Sequence, residues 1–169
     1  MLFYSSLRFS LGHIFLAKSK KGLSLAQFVR DKNQLEILIK SLKNKHPVLS
    51  LNESKFLQEK ELFERYFKGE NEDFTSLLID FISGTSYQKK VWLETRKITF
   101  GETRSYKFLA QQLNHKGYRS VGQALAQNPL IIVIPCHRVI KSDGTLGGFS
   151  AGLKIKKYLL QLEGIEKSF

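Results

Sequence analysis

Three short stretches rich in β-branched and aromatic residues open the chain. They cover residues 2–9, 12–18 and 22–29, and they are separated by Gly12 and by a turn at residues 19–22. Such stretches, broken by turn residues, are typical of consecutive β-strands. The pattern therefore predicts a small meander of strands at the N-terminus.

The hydrophobic spacing then changes to that of helices. In residues 33–44 leucine and isoleucine recur at positions i, i+3, i+4 and i+7, and residues 53–68 repeat this pattern with aromatic side chains. The second helix is predicted to end near Gly69. Residues 77–82 form a short apolar run that we interpret as a possible strand, and residues 83–85 as a linker.

Beyond residue 84 the pattern predicts mostly helices. Thr85 or Ser86 can cap a first helix, Ser105 can cap a second, and a third is predicted over residues 118–126 after a turn at 114–117. The last two helices resemble a helix-turn-helix, whose second helix usually reads DNA. An ordinary pair of packed helices has the same pattern, so both interpretations stay open.

A run of apolar residues at 130–134 lies between two prolines and leads directly to Cys136. Because the run is short and rich in β-branched residues, we predict a buried extended segment. A glycine-rich loop at residues 143–148 and a final helix at 151–163 follow. The fold class is therefore α/β (α+β). An N-terminal sheet-plus-helix subdomain (1–83) precedes a mostly helical, winged-helix-like domain (84–169).

Charge is distributed unevenly between these two parts. Residues 1–83 contain 13 Lys and Arg against 10 Asp and Glu, and residues 84–169 contain 14 against 5, so the net charges are +3 and +9. A basic half indicates a polyanionic partner, most commonly nucleic acid. The alternative is a lysine-rich surface that keeps the protein in solution.

The chain contains one cysteine, which rules out an intramolecular disulfide and fits a reducing, cytoplasmic location. The N-terminus shows no secretory signal pattern, and no apolar run approaches the ~20 residues of a membrane span. We therefore expect a soluble protein with no membrane partner.

Cys136 is the first candidate for chemistry. A lone cysteine is usually a small core residue, but His137 and Arg138 follow it, and neighbouring cations favour the nucleophilic thiolate. Next to a cysteine, His137 could relay a proton through water with a carboxylate behind it, and Glu163 is the candidate for that carboxylate. The other histidines are isolated, and we predict no metal site.

Two further residues have both a structural and a functional interpretation. Arg119, at the start of the third predicted helix, is either a solvated charge or a side chain that enters the DNA duplex or holds a phosphate. Tyr106 is either a core residue or a ring with a polar end that lines a base pocket.

The segment Ile134-Pro135-Cys136-His137-Arg138-Val139 resembles the active-site signature of the O6-alkylguanine-DNA alkyltransferases, also called methylated-DNA–protein-cysteine methyltransferases. The resemblance extends over residues 86–164 in matching order and spacing. It includes the helix of Val91 and Trp92, Phe100-Gly101-Glu102, Ser105-Tyr106, Arg119-Ser120-Val121-Gly122, Asn128-Pro129, Gly147-Gly148-Phe149-Ser150, and Leu159-Leu160 through Glu163-Gly164.

The resemblance implies a role for each matching residue in the reaction. Cys136 is the expected alkyl acceptor, and His137 with a water and Glu163 is the expected proton relay. Asn128 is expected to brace the active-site turn. Tyr106 is expected to turn the target phosphate and to donate a hydrogen bond to the departing guanine.

The same resemblance implies a DNA-binding surface and a base pocket. Arg119 is expected to fill the gap that the flipped base leaves in the duplex. The DNA-binding group also includes Ser105, Tyr118, Gly122 and Gln123, and the substrate pocket includes Trp92, Val139, Phe149, Ser150 and Ala151. No cofactor is implied.

The implied activity is irreversible, stoichiometric transfer of an alkyl group from O6-alkylguanine, and more weakly from O4-alkylthymine, to Cys136. The partner is double-stranded DNA, bound through its minor groove by a monomer, with the damaged nucleotide flipped out. Two alternatives remain from the residues alone. One is a helix-turn-helix protein that recognises lesions without chemistry, and the other is a cysteine hydrolase that uses Cys136 and His137.

Overall fold

The computed structural model describes residues 1–115 and 117–166. The chain divides into two compact units, Met1–Ile82 and Ser83–Phe169. The first combines a mixed sheet with helices and the second is mostly helical, as the sequence predicts.

The N-terminal unit contains one four-stranded sheet. Strands β1 (Leu2–Phe9), β2 (Gly12–Lys18) and β3 (Leu23–Val29) pair in antiparallel order and confirm the predicted meander. A fourth strand, β4 (Leu49–Leu51), adds to β1 in parallel and gives the order β3-β2-β1-β4. With three residues, β4 is too short to show a hydrophobic period.

Two helical regions accompany the sheet. Helix α1 (Lys32–Lys45) begins at the cap residue Asp31 and packs leucines and an isoleucine against the apolar side of β2 and β3. The second predicted helix is present as a 3-10 turn (Glu53–Phe56) that leads into α2 (Leu57–Phe67). The sequence therefore locates both helices to within a few residues.

The predicted strand at residues 77–82 is wrong. The segment makes only an isolated bridge between Ile79 and Leu23. It passes close to the backbone of Gly22, where a Cβ atom would lie 2.5 Å from the carbonyl oxygen of Leu78. Its apolar residues reflect this local packing and do not form a ladder.

The C-terminal unit begins with α3 (Ser86–Thr95), which Thr85 caps together with Gln88 in a capping box. The short strand β5 (Arg104–Ser105) leads into α4 (Tyr106–Gln112), and α5 (Tyr118–Ala126) follows. Helices α4 and α5 contact each other as the predicted helix-turn-helix requires. The turn between them includes Lys116, which lies outside the described residues.

The apolar run at residues 130–134 is buried as predicted, but it is not extended. The chain folds back on itself, so that the Ile134 N–H donates to the Leu130 carbonyl over 2.8 Å. Ile132 adopts a φ of 71°, which a β-branched residue rarely does. Burial of all five side chains holds this turn and sets the direction in which the chain reaches Cys136.

The end of the chain completes the unit around this turn. A 3-10 turn (Cys136–Arg138) precedes β6 (Val139–Ile140), which pairs in parallel with β5. Helix α6 (Leu153–Leu162) starts two residues later than predicted, after Gly152 at a φ of 96°, and Glu163 forms its C-cap. Among the described residues, no helix is long and apolar enough to cross a membrane.

Candidate active site

Cys136 lies at the start of the 3-10 turn and is held there by Asn128. The Asn128 side-chain NH2 group donates to the Ile134 carbonyl over 2.9 Å and to the Cys136 sulfur over 3.1 Å. Its oxygen accepts the Leu130 N–H at 2.9 Å. One buried amide therefore joins both ends of the apolar turn to the thiol.

The two residues after the cysteine both turn towards Glu163. The His137 Nε2 atom lies 2.7 Å from the Glu163 Oε1 atom. The side chains of His137, Arg138 and Glu163 are all buried. The Arg138 guanidinium donates to both carboxylate oxygens, over 2.8 and 3.0 Å, and to the Ile98 carbonyl over 2.5 Å. Arg138 is thus the partner of Glu163, and the groups that favour the Cys136 thiolate include Asn128 and Lys156 instead.

The resting thiol is accordingly protonated. Burial raises the pKa of Cys136 above its usual value, and the hydrogen bond from Asn128 and the charge of Lys156 only partly offset this. Loss of water around a thiolate costs more than these contacts recover. Formation of the nucleophile therefore requires a route for the proton.

The histidine and the glutamate both rest in their deprotonated forms. Burial lowers the pKa of His137, although the nearby carboxylate favours its charged form. Burial alone would raise the pKa of Glu163, but His137 and Arg138 outweigh this and lower it to about 2. Because Arg138 supplies a permanent charge, Glu163 remains ionised beside a neutral histidine. His137 can therefore accept a proton.

A cavity of about 910 Å3 opens above Cys136. It brings together the predicted residues Tyr106, Tyr118, Arg119, Gly122, Gln123, Cys136, Phe149 and Ser150. The remaining lining residues were not among the predicted site residues; they are Lys107, Leu125, Ala126, Lys141, Ser142, Asp143, Gly147 and Gly148. The helix-turn-helix forms one wall of the cavity and the glycine-rich loop forms another.

Tyr106 connects these two walls. Its hydroxyl donates to the Gly148 carbonyl over 3.3 Å. A Cβ atom on Gly147 would lie 2.8 Å from the Tyr106 ring, so only glycine fits there. Burial raises the pKa of the tyrosine hydroxyl, and the charge of Cys136 adds to this. The hydroxyl therefore remains a proton donor at neutral pH.

Four of the residues predicted to bind DNA or to form the substrate pocket do not line the cavity. Ser105 caps α4 by accepting the Phe108 N–H, and Ala151 lies just beyond the lining segment. Val139 is fully buried and faces Lys156 with its carbonyl. Trp92 is a core residue: its indole N–H donates to the Ala124 carbonyl over 2.8 Å, and its ring packs against Gly84. The expectation that Trp92 lines the pocket is wrong.

Sequence reasoning also missed a buried cation. Lys156 on α6 is fully buried, and its Nζ atom contacts three backbone carbonyls. Lys156, Leu159, Leu160 and Glu163 follow the i, i+3, i+4, i+7 spacing of the buried side of the helix. Lys156 and Glu163 are charged residues on the buried side of a helix. Their position was therefore an indication of function that the sequence already contained.

These residues fall into two groups. The buried floor consists of Asn128, Cys136, His137, Arg138, Lys156 and Glu163, and the exposed rim consists of Lys107, Tyr118, Arg119, Gln123 and Lys141. Among the described residues, no cluster of His, Cys, Asp or Glu could hold a metal ion.

Comparisons with known proteins match nearly the whole chain to one family. Two family models match: "6-O-methylguanine DNA methyltransferase, ribonuclease-like domain" over residues 2–81, and "6-O-methylguanine DNA methyltransferase, DNA binding domain" over residues 86–165. The methylated-DNA–protein-cysteine methyltransferase of Methanosarcina barkeri is 40% identical over 164 residues, covering 96% of this chain and 97% of that protein. The Sulfolobus acidocaldarius protein of the same name is 32% identical over 98% of this chain and 95% of its own.

Solved structures give the same result. The O6-methylguanine methyltransferase of Mycobacterium tuberculosis superposes with a TM-score of 0.81 at 29% identity, covering 100% of this chain and 97% of that one. A crystal structure of Mycobacterium tuberculosis OGT in complex with DNA gives 0.80 at 29% identity, with 95% and 92% coverage. The chain belongs to the 6-O-methylguanine DNA methyltransferase family, whose activity is direct repair of O6-methylguanine by transfer of the methyl group to a cysteine of the protein.

Proposed function

We propose that Cys136 is the methyl acceptor and that it reacts with a guanine flipped out of duplex DNA into the cavity. The Cys136 sulfur attacks the methyl carbon, a C–S bond forms, and the bond from that carbon to O6 breaks. The departing base takes up a proton and becomes ordinary guanine. The observation that carries this proposal is a buried thiol, braced by Asn128, beneath a cavity large enough for a base.

The proton of the thiol leaves through His137. In this proposal a water passes it from the Cys136 sulfur to the Nδ1 atom, which is the ring nitrogen turned away from Glu163. The 2.7 Å contact between Nε2 and the ionised Glu163 stabilises the imidazolium that forms. The lowered pKa of His137 supports this role because it keeps the ring neutral before the reaction.

The walls of the cavity hold the base and assist its departure. The protonated hydroxyl of Tyr106 lies beside the glycine-rich loop and can donate a hydrogen bond to the base. We assign the backbone N–H of Ser150 to the O6 atom of the guanine. Donors placed where charge develops stabilise a departing base. We assign the Cys136 carbonyl to the guanine amino group and the Phe149 ring to the pocket wall. The Val139 carbonyl is buried and already accepts from Lys156.

Arg119 is the residue assigned to the duplex itself. It is exposed at the start of α5 and lines the cavity entrance, as do Tyr118 and Gln123. Extrusion of a base costs a few kcal/mol, and a side chain inserted into the gap offsets part of that cost. We also propose binding through the minor groove, with little sequence preference and clear salt dependence.

The proposed reaction happens once per molecule. A thioether is stable, and the chain contains no second cysteine that could remove the alkyl group. We therefore propose stoichiometric transfer from O6-alkylguanine, and more weakly from O4-alkylthymine, by a monomer in the reducing cytoplasm, where the thiol stays free.

Intact mass spectrometry tests the proposal. The protein is mixed with duplex DNA that contains O6-methylguanine, and Cys136→Ser is treated in parallel. One added methyl group on Cys136, about +14 Da in mass, with none on the variant, is the expected result. DNA binding without a mass change would instead favour a non-catalytic lesion binder.

A further inference from the structure

Lys156 is a fully buried lysine held by backbone carbonyls. Its Nζ atom donates to the carbonyl oxygens of Val139 at 2.6 Å, Leu146 at 2.5 Å and Gly148 at 3.2 Å. A buried ammonium is costly to desolvate, so a lysine held in this way is expected to have a role that an apolar residue could not fill.

The number of contacts matches the charged form of the side chain. An ammonium group has three N–H donors and no lone pair, and it meets three carbonyl oxygens here. A neutral amine keeps two N–H donors, so its lone pair would point towards one of the carbonyls. The arrangement therefore depends on the proton of Lys156.

The three carbonyls belong to separate parts of the site. Val139 follows the 3-10 turn that carries Cys136, whereas Leu146 and Gly148 lie in the glycine-rich loop. The Gly148 carbonyl also accepts the Tyr106 hydroxyl, and Gly147 packs against the Tyr106 ring. Lys156 thus joins the loop that carries Phe149 and Ser150 to the strand beside the thiol.

The titratable groups that face Lys156 are Cys136, His137 and Tyr106. Its charge lowers the pKa of both Cys136 and His137, and its Nζ atom lies 5.9 Å from the centre of the Tyr106 ring. Burial lowers the pKa of Lys156 to about 8, although Cys136 opposes the shift. The pKa values of Cys136 and Tyr106 are raised, so Lys156 loses its proton before either of them.

We propose that Lys156 is a positioning residue for methyl transfer, and that its ammonium group fixes the glycine-rich loop relative to Cys136 so that the guanine is presented to the sulfur. This rests on the proposed acceptor role of Cys136. Deprotonation of Lys156 removes a donor from the loop, and the transfer slows because the base is misplaced even though the thiol remains reactive.

The test compares two reactions of the same thiol. The first is single-turnover methyl transfer at saturating duplex that contains O6-methylguanine. The second is labelling of Cys136 by iodoacetamide, a small neutral reagent that needs no positioned base. The ratio of the two rates reports on presentation of the guanine and cancels changes in thiolate concentration.

Lys156→Met is expected to lower this ratio by about 100-fold, the effect of misplacing a reactant by ~1 Å. Lys154→Met, an exposed lysine on the same helix, should leave it unchanged. Lys156→Arg retains charge and donors and should recover part of the loss. Equal slowing of both reactions in Lys156→Met would overturn the positioning role.

Measuring the same ratio over a series of pH values tests the proposal on the unaltered protein, so the result does not depend on whether a variant folds. As pH rises through about 8, the ratio should fall because Lys156 loses its proton, while iodoacetamide labelling continues to increase. A constant ratio between about pH 7 and 9.5, a range that spans this titration, would overturn the proposal. Failure of Cys136 to gain a methyl group at neutral pH would instead contradict the proposed function, so the two failures are distinguishable.

Discussion

The buried floor and the exposed rim of the site differ in how their side chains are held. In the floor, Asn128, Arg138 and Lys156 each make two or more hydrogen bonds, and Glu163 accepts from both His137 and Arg138. The rim residues Tyr118, Arg119 and Gln123 are exposed near the start of α5. The floor is fixed before any ligand arrives, whereas the rim faces solvent.

This difference separates two tasks. Chemistry needs groups fixed to within a fraction of an ångström, and buried, hydrogen-bonded side chains provide this. Binding to a long polyanion of variable sequence needs accessible charge and tolerates freedom of side chains. Changes in the floor should therefore alter the rate of transfer, and changes in the rim should alter only the engagement of DNA.

The largest effect is expected from Glu163→Gln. The variant cannot stabilise a protonated His137, so the single-turnover rate of transfer should fall by about 10²–10⁴-fold. Affinity for undamaged duplex should not change, because Glu163 is buried beneath the cavity. Rapid-quench kinetics and a binding titration measure the two quantities.

A matched control comes from the N-terminal unit. Glu59 is also a buried carboxylate, and it forms an ion pair with Lys18. Glu59→Gln should lose stability without slowing transfer. A loss of rate similar to that of Glu163→Gln would mean that both changes act through general destabilisation, and the distinction between floor and rim would fail.

The stability of the floor should depend on pH in a defined direction. The pKa of Glu163 falls from 4.5 to about 2 on folding, so its ionised form stabilises the fold by about 3 kcal/mol at neutral pH. That contribution is present above pH 4.5 and is lost as pH falls towards 2. Because the side-chain amide introduced by Glu163→Gln cannot titrate, the difference between the two proteins should narrow over this range.

Denaturant unfolding at a series of pH values from about 7 down to about 3 measures this difference in the free energy of unfolding. Glu163 also favours the charged form of His137, so the comparison is read below pH 4.5, where Glu163 itself takes up its proton. A difference that stays constant there down to the lowest pH would show that folding does not lower the pKa of Glu163.

The sequence was sufficient to predict most residues of the buried floor, but it was not sufficient to predict the contacts between them. Cys136, His137 and Glu163 were singled out, but the link of Arg138 to Glu163 joins residues 25 positions apart, and no local pattern encodes it. The direct contact of His137 with Glu163 likewise depends on where α6 ends. Such contacts depend on tertiary packing, which hydrophobic spacing does not specify.

The hydrophobic pattern predicted helices and strands correctly where one spacing of apolar residues persists along the whole element. The helix at residues 118–126 and the first two strands were located at their observed bounds. In the apolar run at 130–134, apolar and polar residues do not alternate, so the sequence cannot distinguish a strand from a buried turn. The turn is stabilised by hydrogen bonds between the side chain of Asn128 and the backbone at both of its ends. In the rim, by contrast, Tyr118, Arg119 and Gln123 follow directly from the exposed face of α5.

Arg119→Ala tests the rim. Transfer from a duplex that contains O6-methylguanine should slow by about 10–100-fold, because the cost of extruding the base is no longer offset. Reaction with free O6-methylguanine, which needs no extrusion, should be unchanged. Equal losses on both substrates would contradict the assignment of Arg119 to the duplex gap and would assign it instead to the chemistry.

The smallest effect is expected from a single lysine at the edge of the cavity. Lys141 is exposed and lines the entrance, so it is suited to neutralise one phosphate. Lys141→Ala should reduce the slope of log affinity against log salt by about 1 and weaken binding to all sequences alike.

Lys97, which is paired with Glu94 and does not line the cavity, provides the control: Lys97→Ala should leave the slope unchanged. If both variants changed the slope equally, the positive charge of the whole unit, and not the rim, would account for the attraction to DNA. If Lys141→Ala also lowered the rate at saturating DNA, the loop that carries it would belong functionally to the floor.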